Sequence, residues 1–103
     1  MIVDIATPPA VSAKEPVVYD EAFATSEFRG GTYVLRAGAA DPQKPHAEDE
    51  AYLVQRGRAT FDLDGARTPV RAGHVILVPA GVPHRFVDIE EDLTLFVLFA
   101  VRR

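Results

Sequence analysis

The chain has 103 residues, 48% of them hydrophobic and 25% charged, with a formal net charge of −4. That length allows one core and is too short for two. The absence of cysteine excludes disulfides, thiolate metal sites and a cysteine nucleophile. No basic cluster stands out, so nucleic acid is not an expected partner, and no apolar run is long enough to span a bilayer.

Residues 1–16, MIVDIATPPAVSAKEP, are interrupted by Pro8, Pro9 and Pro16 and read as an extended arm. The stretch lacks the basic start of a signal peptide, so a cytoplasmic location is the default expectation. Residues 17–103 are expected to form a single domain of short strands. The candidates are Val17–Tyr19, Thr32–Arg36, Ala51–Gln55, Ala59–Leu63, His74–Val78, Arg85–Val87 and Leu93–Val101. They are rich in Val, Phe, Tyr, Thr and Leu, which suit a pleated, half-buried surface. A brief helical turn is considered at Tyr19–Ala24. Asp64-Gly65, inside FDLDGAR, signals a two-residue hairpin with both central residues at positive φ. In VPAGVPH, Pro79 and Gly81 occupy the second and fourth positions of a type I turn. No segment sustains helical periodicity, and the fold class is all-β, sandwich or barrel.

The last candidate, LTLFVLFAV, is apolar on both alternate sets: Leu93, Leu95, Val97 and Phe99 on one, Phe96, Leu98 and Ala100 on the other. One set can face a barrel interior, and the other then needs a cover. Either a second layer of sheet in the same chain or a homodimer interface would supply it.

The segment KPHAEDEAYLVQRG raises the question of a metal site. On a straight strand His46 and Glu50 share a face, but they would be about 13–14 Å apart. One ion cannot bridge that distance, so the chain must bend or bulge between them. Glu48 and Asp49 are rival carboxylates, and Gln43 could offer an amide oxygen. His84 closes the turn PAGVPH. His74 is expected to be exposed. Tyr52, Phe61 and Phe86 are either cavity lining or plain core. Arg36 and Arg85 are either substrate contacts or solvated strand-edge residues.

Here the sequence resembles the cupin family. The first cupin motif, G-x5-H-x-H-x3,4-E-x6-G, is matched by Gly38, His46, Glu50 and Gly57. The second, G-x5-P-x-G-x2-H-x3-N, is matched by Gly73, Pro79, Gly81 and His84, with Asp88 at its last position. The resemblance covers roughly half the chain, from Gly38 to Asp88. It implies a double-stranded β-helix (jelly-roll barrel) with a divalent metal ion inside, held by His46, Glu50 and His84. Lys44 stands where the motif has its first histidine. A protonated amine cannot ligate, so Lys44 is expected to turn outward or to meet an anionic substrate.

Two imidazoles and one carboxylate form the set used by non-haem Fe(II) oxygenases and also suit Zn(II) with an activating water. Ligand type does not separate Fe, Mn, Ni and Zn. The leading expectation is a metal-dependent enzyme, a dioxygenase ahead of an isomerase or hydrolase, acting on a small organic molecule. The alternatives are a non-catalytic metal- or ligand-binding sensor and a barrel that has lost its metal.

Overall fold

The computed structural model describes residues 1–101, so Arg102 and Arg103 of the expected 17–103 domain lie outside the described residues. Among the described residues there are eight strands: β1 (Val17–Ala24), β2 (Phe28–Leu35), β3 (Glu50–Arg56), β4 (Arg58–Leu63), β5 (Ala66–Arg71), β6 (Val75–Val78), β7 (His84–Val87) and β8 (Leu93–Ala100). No helix among them is long and apolar enough to cross a membrane. A five-stranded sheet in the order β1-β2-β8-β3-β6 faces a three-stranded sheet in the order β5-β4-β7. Every strand pair is antiparallel.

Side chains two apart share a face of a strand, and this alternation builds the interior. β3 turns Glu50, Tyr52 and Val54 inward, and β7 turns His84 and Phe86 inward. From β8 come Leu93, Leu95, Val97 and Phe99. Phe61 of β4 and Leu35 of β2 complete a core in which Phe86 packs 4.8 Å from Phe61 and 5.3 Å from Tyr52 between ring centroids. Two polar residues, Glu50 and His84, thus point into a space otherwise filled by hydrocarbon.

The turn at Pro79 is one residue later than expected: the Val82 amide closes on the Pro79 carbonyl at 3.3 Å, so Gly81 stands third, at φ 77°, where a type II turn rather than a type I turn favours glycine. Asp64 and Gly65 both have positive φ, 50° and 91°, as a type I′ hairpin requires. Gly57 joins β3 to β4 at φ 88°, and a Cβ there would lie 2.3 Å from the Asp92 carbonyl oxygen. Asp88, the departure from the motif's asparagine, has φ 47°. Asn and Asp are the non-glycine residues that enter this left-handed region most readily, so the backbone demand is met by either.

Three further local expectations need correction. Residues 19–24 are strand, not a helical turn: helix-favouring Glu21, Ala22 and Ala24 are overridden by pairing with β2, with a register shift between Glu21 and Phe23. β5 was not foreseen, because Pro69 argues against a strand and its side chains are almost all exposed. It is an edge strand, where a sheet tolerates proline. His74 precedes β6 rather than starting it, and it is half-buried, its Nδ1 accepting the Arg71 amide at 3.1 Å.

Among the described residues, no strand lies over the outward set of β8. Phe96 stacks on Phe23 at 6.1 Å, while Leu98 stays partly open. In register beside it run Leu77, Ala51 and Leu98, and next to them Val75, Leu53 and Phe96. Leu77 is 71% exposed and Val75 64%, both on β6 at the edge of the sheet.

Candidate metal centre

His46 lies in the loop before β3, and the chain bends at Ala47 and Glu48. This bend, rather than a bulge within a strand, closes the gap that a straight segment would leave. His46 Nδ1 comes to 3.4 Å from Glu50 Oε1, and His84 Nε2 comes to 2.5 Å from the same oxygen. One ligand atom from each of the three residues lies within 4.8 Å of the others. Gly81 NH donates to the His46 carbonyl at 2.8 Å, so the turn before His84 also pins the loop that carries His46.

The arrangement is unusual for a buried polar cluster. His46 Nδ1 and both oxygens of Glu50 are buried without an aligned hydrogen-bond partner, although buried polar groups are nearly always paired. His84 Nδ1 donates to the Val82 carbonyl at 2.9 Å, which leaves the Nε2 lone pair of a neutral ring facing Glu50. A lone pair and a carboxylate oxygen at 2.5 Å repel unless a cation or a proton sits between them. The donor set therefore fits a metal ion: three electron-rich atoms converge, and the second nitrogen of one imidazole is already fixed by a carbonyl.

A proton competes for the same place. Burial alone would lower the pKa of His84, but the Glu50 carboxylate and the Val82 carbonyl outweigh it and raise it above 6.5. For the metal-free protein, the His84–Glu50 contact therefore contributes its full stability below that ordinary value. The contribution is lost as pH rises through the raised one. Metal binding must displace the proton, so affinity should climb over the same interval. Chelator-treated protein should thus melt lower as pH rises above about 6.5, while metal-loaded protein should not. Paired thermal melts across that range check this.

The remaining acids and amides are committed elsewhere. Glu48 accepts Arg29 Nε at 3.1 Å and Nη2 at 2.8 Å. Asp49 accepts the Ala80 amide at 2.7 Å. Gln43 Oε1 accepts the Tyr52 hydroxyl at 2.8 Å. Lys44, Arg36 and Arg85 are exposed. Phe61 and Phe86 are core, whereas Tyr52 is both core and cavity wall.

A cavity of about 220 Å³ opens beside the group, with His46 and Tyr52 on its wall. Tyr19, Tyr33, Val97 and Phe99 supply most of the remaining surface, and Arg29 and Gln43 the polar part. Phe99 packs 5.0 Å from His46, and Arg29 Cζ lies 4.1 Å over Phe99.

Sequence reasoning missed Asp41. Its carboxylate accepts Tyr33 Oη at 2.7 Å, the Gln43 amide nitrogens at 3.2 and 2.6 Å, and the Phe86 backbone NH at 2.9 Å. It ties β2, the His46 loop and β7 together behind the cavity. The Asp41-Pro42 dipeptide, a turn initiator, was the available signal.

The structure is thus a small jelly-roll barrel with two histidines and one glutamate converging inside it, a group that could hold a metal ion. The family model for the cupin domain matches residues 31–101, and the chain belongs to the cupin family. An uncharacterized protein of Streptomyces coelicolor is 50% identical over 70 residues, 68% of this chain and 67% of its own length. A Streptomyces cyaneus protein named polyketide synthase CurC is 34% identical over 71 residues, 67% of this chain but 45% of that protein. The chain therefore spans less than half of that relative. An RmlC-like cupin of Methanocaldococcus jannaschii with a double-stranded β-helix fold superposes with TM-score 0.79 at 20% identity, covering 97% of this chain and 89% of that one. The fold is accordingly the double-stranded β-helix.

Proposed function

We propose that this protein is a metal-dependent enzyme of dioxygenase type, in which His46, Glu50 and His84 hold a divalent ion and the adjoining cavity takes a small organic molecule. The observation that carries this reading is the convergence of three ligand atoms, two of them from residues with buried, unpartnered donors. A divalent ion held there would supply Lewis acidity and, as iron, the one-electron chemistry that reaction with oxygen requires. The chain's own residues do the rest. Val82 fixes the His84 ring, Asp41 and Gln43 hold Tyr52 in place, and the aromatic walls seat the substrate and keep water out. The name of the Streptomyces cyaneus relative supports an organic substrate.

The test is elemental analysis of purified protein, followed by oxygen uptake after loading with Fe(II), Mn(II), Ni(II) or Zn(II). Uptake or substrate conversion should require intact His46 and His84. A stoichiometric ion with no turnover on a broad substrate panel would favour the non-catalytic sensor instead. No bound ion, and no thermal stabilisation by any of the four, would leave only the metal-free barrel.

In this proposal the 17–103 barrel, with its arm of residues 1–16, works in the cytoplasm as a homodimer. The support is the open apolar face formed by Val75, Leu77, Leu53 and Leu98. It ends at an edge strand without a charged residue, whereas edges left in water are normally blunted by charge. A second copy brings an identical surface to it. Leu77→Asp should convert the dimer to monomer without unfolding it, as read by sedimentation and circular dichroism. A native chain that sediments as a monomer at micromolar concentration contradicts the proposal.

A further inference from the structure

The cavity beside the centre carries a charge arrangement that holding an ion does not require. Apart from His46, whose Nδ1 has no aligned partner, its polar groups are already spent. Tyr33 donates to Asp41, Tyr52 donates to Gln43, and the Gln43 amide donates to Asp41. Arg29, the cation of the lining, gives Nε and Nη2 to Glu48 and Nη1 to Glu21 at 3.0 Å. A carboxylate entering this space finds a guanidinium already matched by two carboxylates. Its own charge is then repelled by Glu21 and Glu48, whose side chains are 42% and 20% exposed.

An uncharged ring makes no such demand. It gains contact with the rings of Tyr19, Tyr33, Tyr52 and Phe99, surfaces that favour offset and edge-on aromatic partners. A dry apolar cavity of about 150 Å³ is known to accept benzene. The larger space here, about 220 Å³, suits one ring or two fused rings.

We propose that this cavity takes uncharged planar ring compounds of the phenol and naphthol class, and that Glu21 and Glu48, by neutralising Arg29, turn away ring carboxylates. Selectivity of this kind comes from penalising the wrong ligand as much as from rewarding the right one. The inference rests on the cavity being the substrate site of the proposed enzyme, and it concerns the walls rather than the ion.

The experiment is calorimetric titration of the chelator-treated full chain with 2-naphthol and 2-naphthoate at neutral pH, where the first is uncharged and the second ionised. The naphthol should bind, and the naphthoate should bind at least about tenfold more weakly. Glu21→Gln, at a partly exposed side chain outside the metal group, frees one edge of Arg29. It should tighten naphthoate by about fivefold or more while leaving naphthol unchanged. Arg29→Gln should weaken naphthoate further. Equal or tighter binding of naphthoate to the native chain, a gap that Glu21→Gln does not narrow, or no binding of either compound overturns the proposal. Failure of the metal reading shows separately, as absence of any ion on elemental analysis, and leaves these affinities as they are.

Discussion

His84→Ala is expected to lower divalent-metal affinity by well over 100-fold, and His46→Ala to do the same. Losing only a group that supports a ligand already costs about 10–100-fold, and here the donor atom itself is removed. The two side chains differ in setting: that of His84 is 1% exposed and that of His46 31%. Their loss should nevertheless converge on one result, because each supplies one of three convergent atoms. Competition with a chromophoric chelator measures the change. Lys44→Ala is the control: the side chain is exposed, so affinity should stay within about twofold, the scatter expected of a surface change. If both histidine variants keep a stoichiometric ion, the centre lies elsewhere.

Phe86→Ala should cost about 3–5 kcal/mol of stability, the usual range for deleting a buried aromatic ring. Phe86 is 1% exposed and fills the space between Phe61 and Tyr52. The neighbours are strands held by ladders on both sides, so the void cannot collapse easily. In a domain of this size each kcal/mol moves the melting temperature by about 4–8 °C. The variant should therefore melt at least about 12 °C lower. The backbone NH of residue 86 would still reach Asp41, so Asp41 should keep its grip on Gln43 and Tyr33. Urea denaturation measures the loss, and a value under about 1 kcal/mol would mean that the ring is not part of the core.

The barrel was legible because its signals are local. Asp64-Gly65 announces its hairpin within two residues, and the glycines at 57 and 81 mark turns whose φ is positive. The pairing of His46 with His84 was legible through motif spacing alone. The motif interval alone also singled out Glu50 among three neighbouring acids, and local chemistry offered no second reason for the choice. Glu48, Asp49 and Glu50 are chemically alike, and their roles are set by Arg29 and the Ala80 amide, which come from a distant strand and a distant turn. β5 escaped because an edge strand needs no apolar alternation. Asp41 and Arg29 escaped for a related reason: a loop aspartate and a strand arginine look solvated until register brings β2 alongside β8.

The strand order has a consequence in time. β8 follows every other strand in the chain, yet it is inserted between β2 and β3, with Phe99 directly opposite Glu50. Until β8 docks, Glu50 is held from the β6 side alone, and closing so long a loop is intrinsically slow. An ion held by His46, Glu50 and His84 would have Glu50 fixed from both sides only once this last strand is in place.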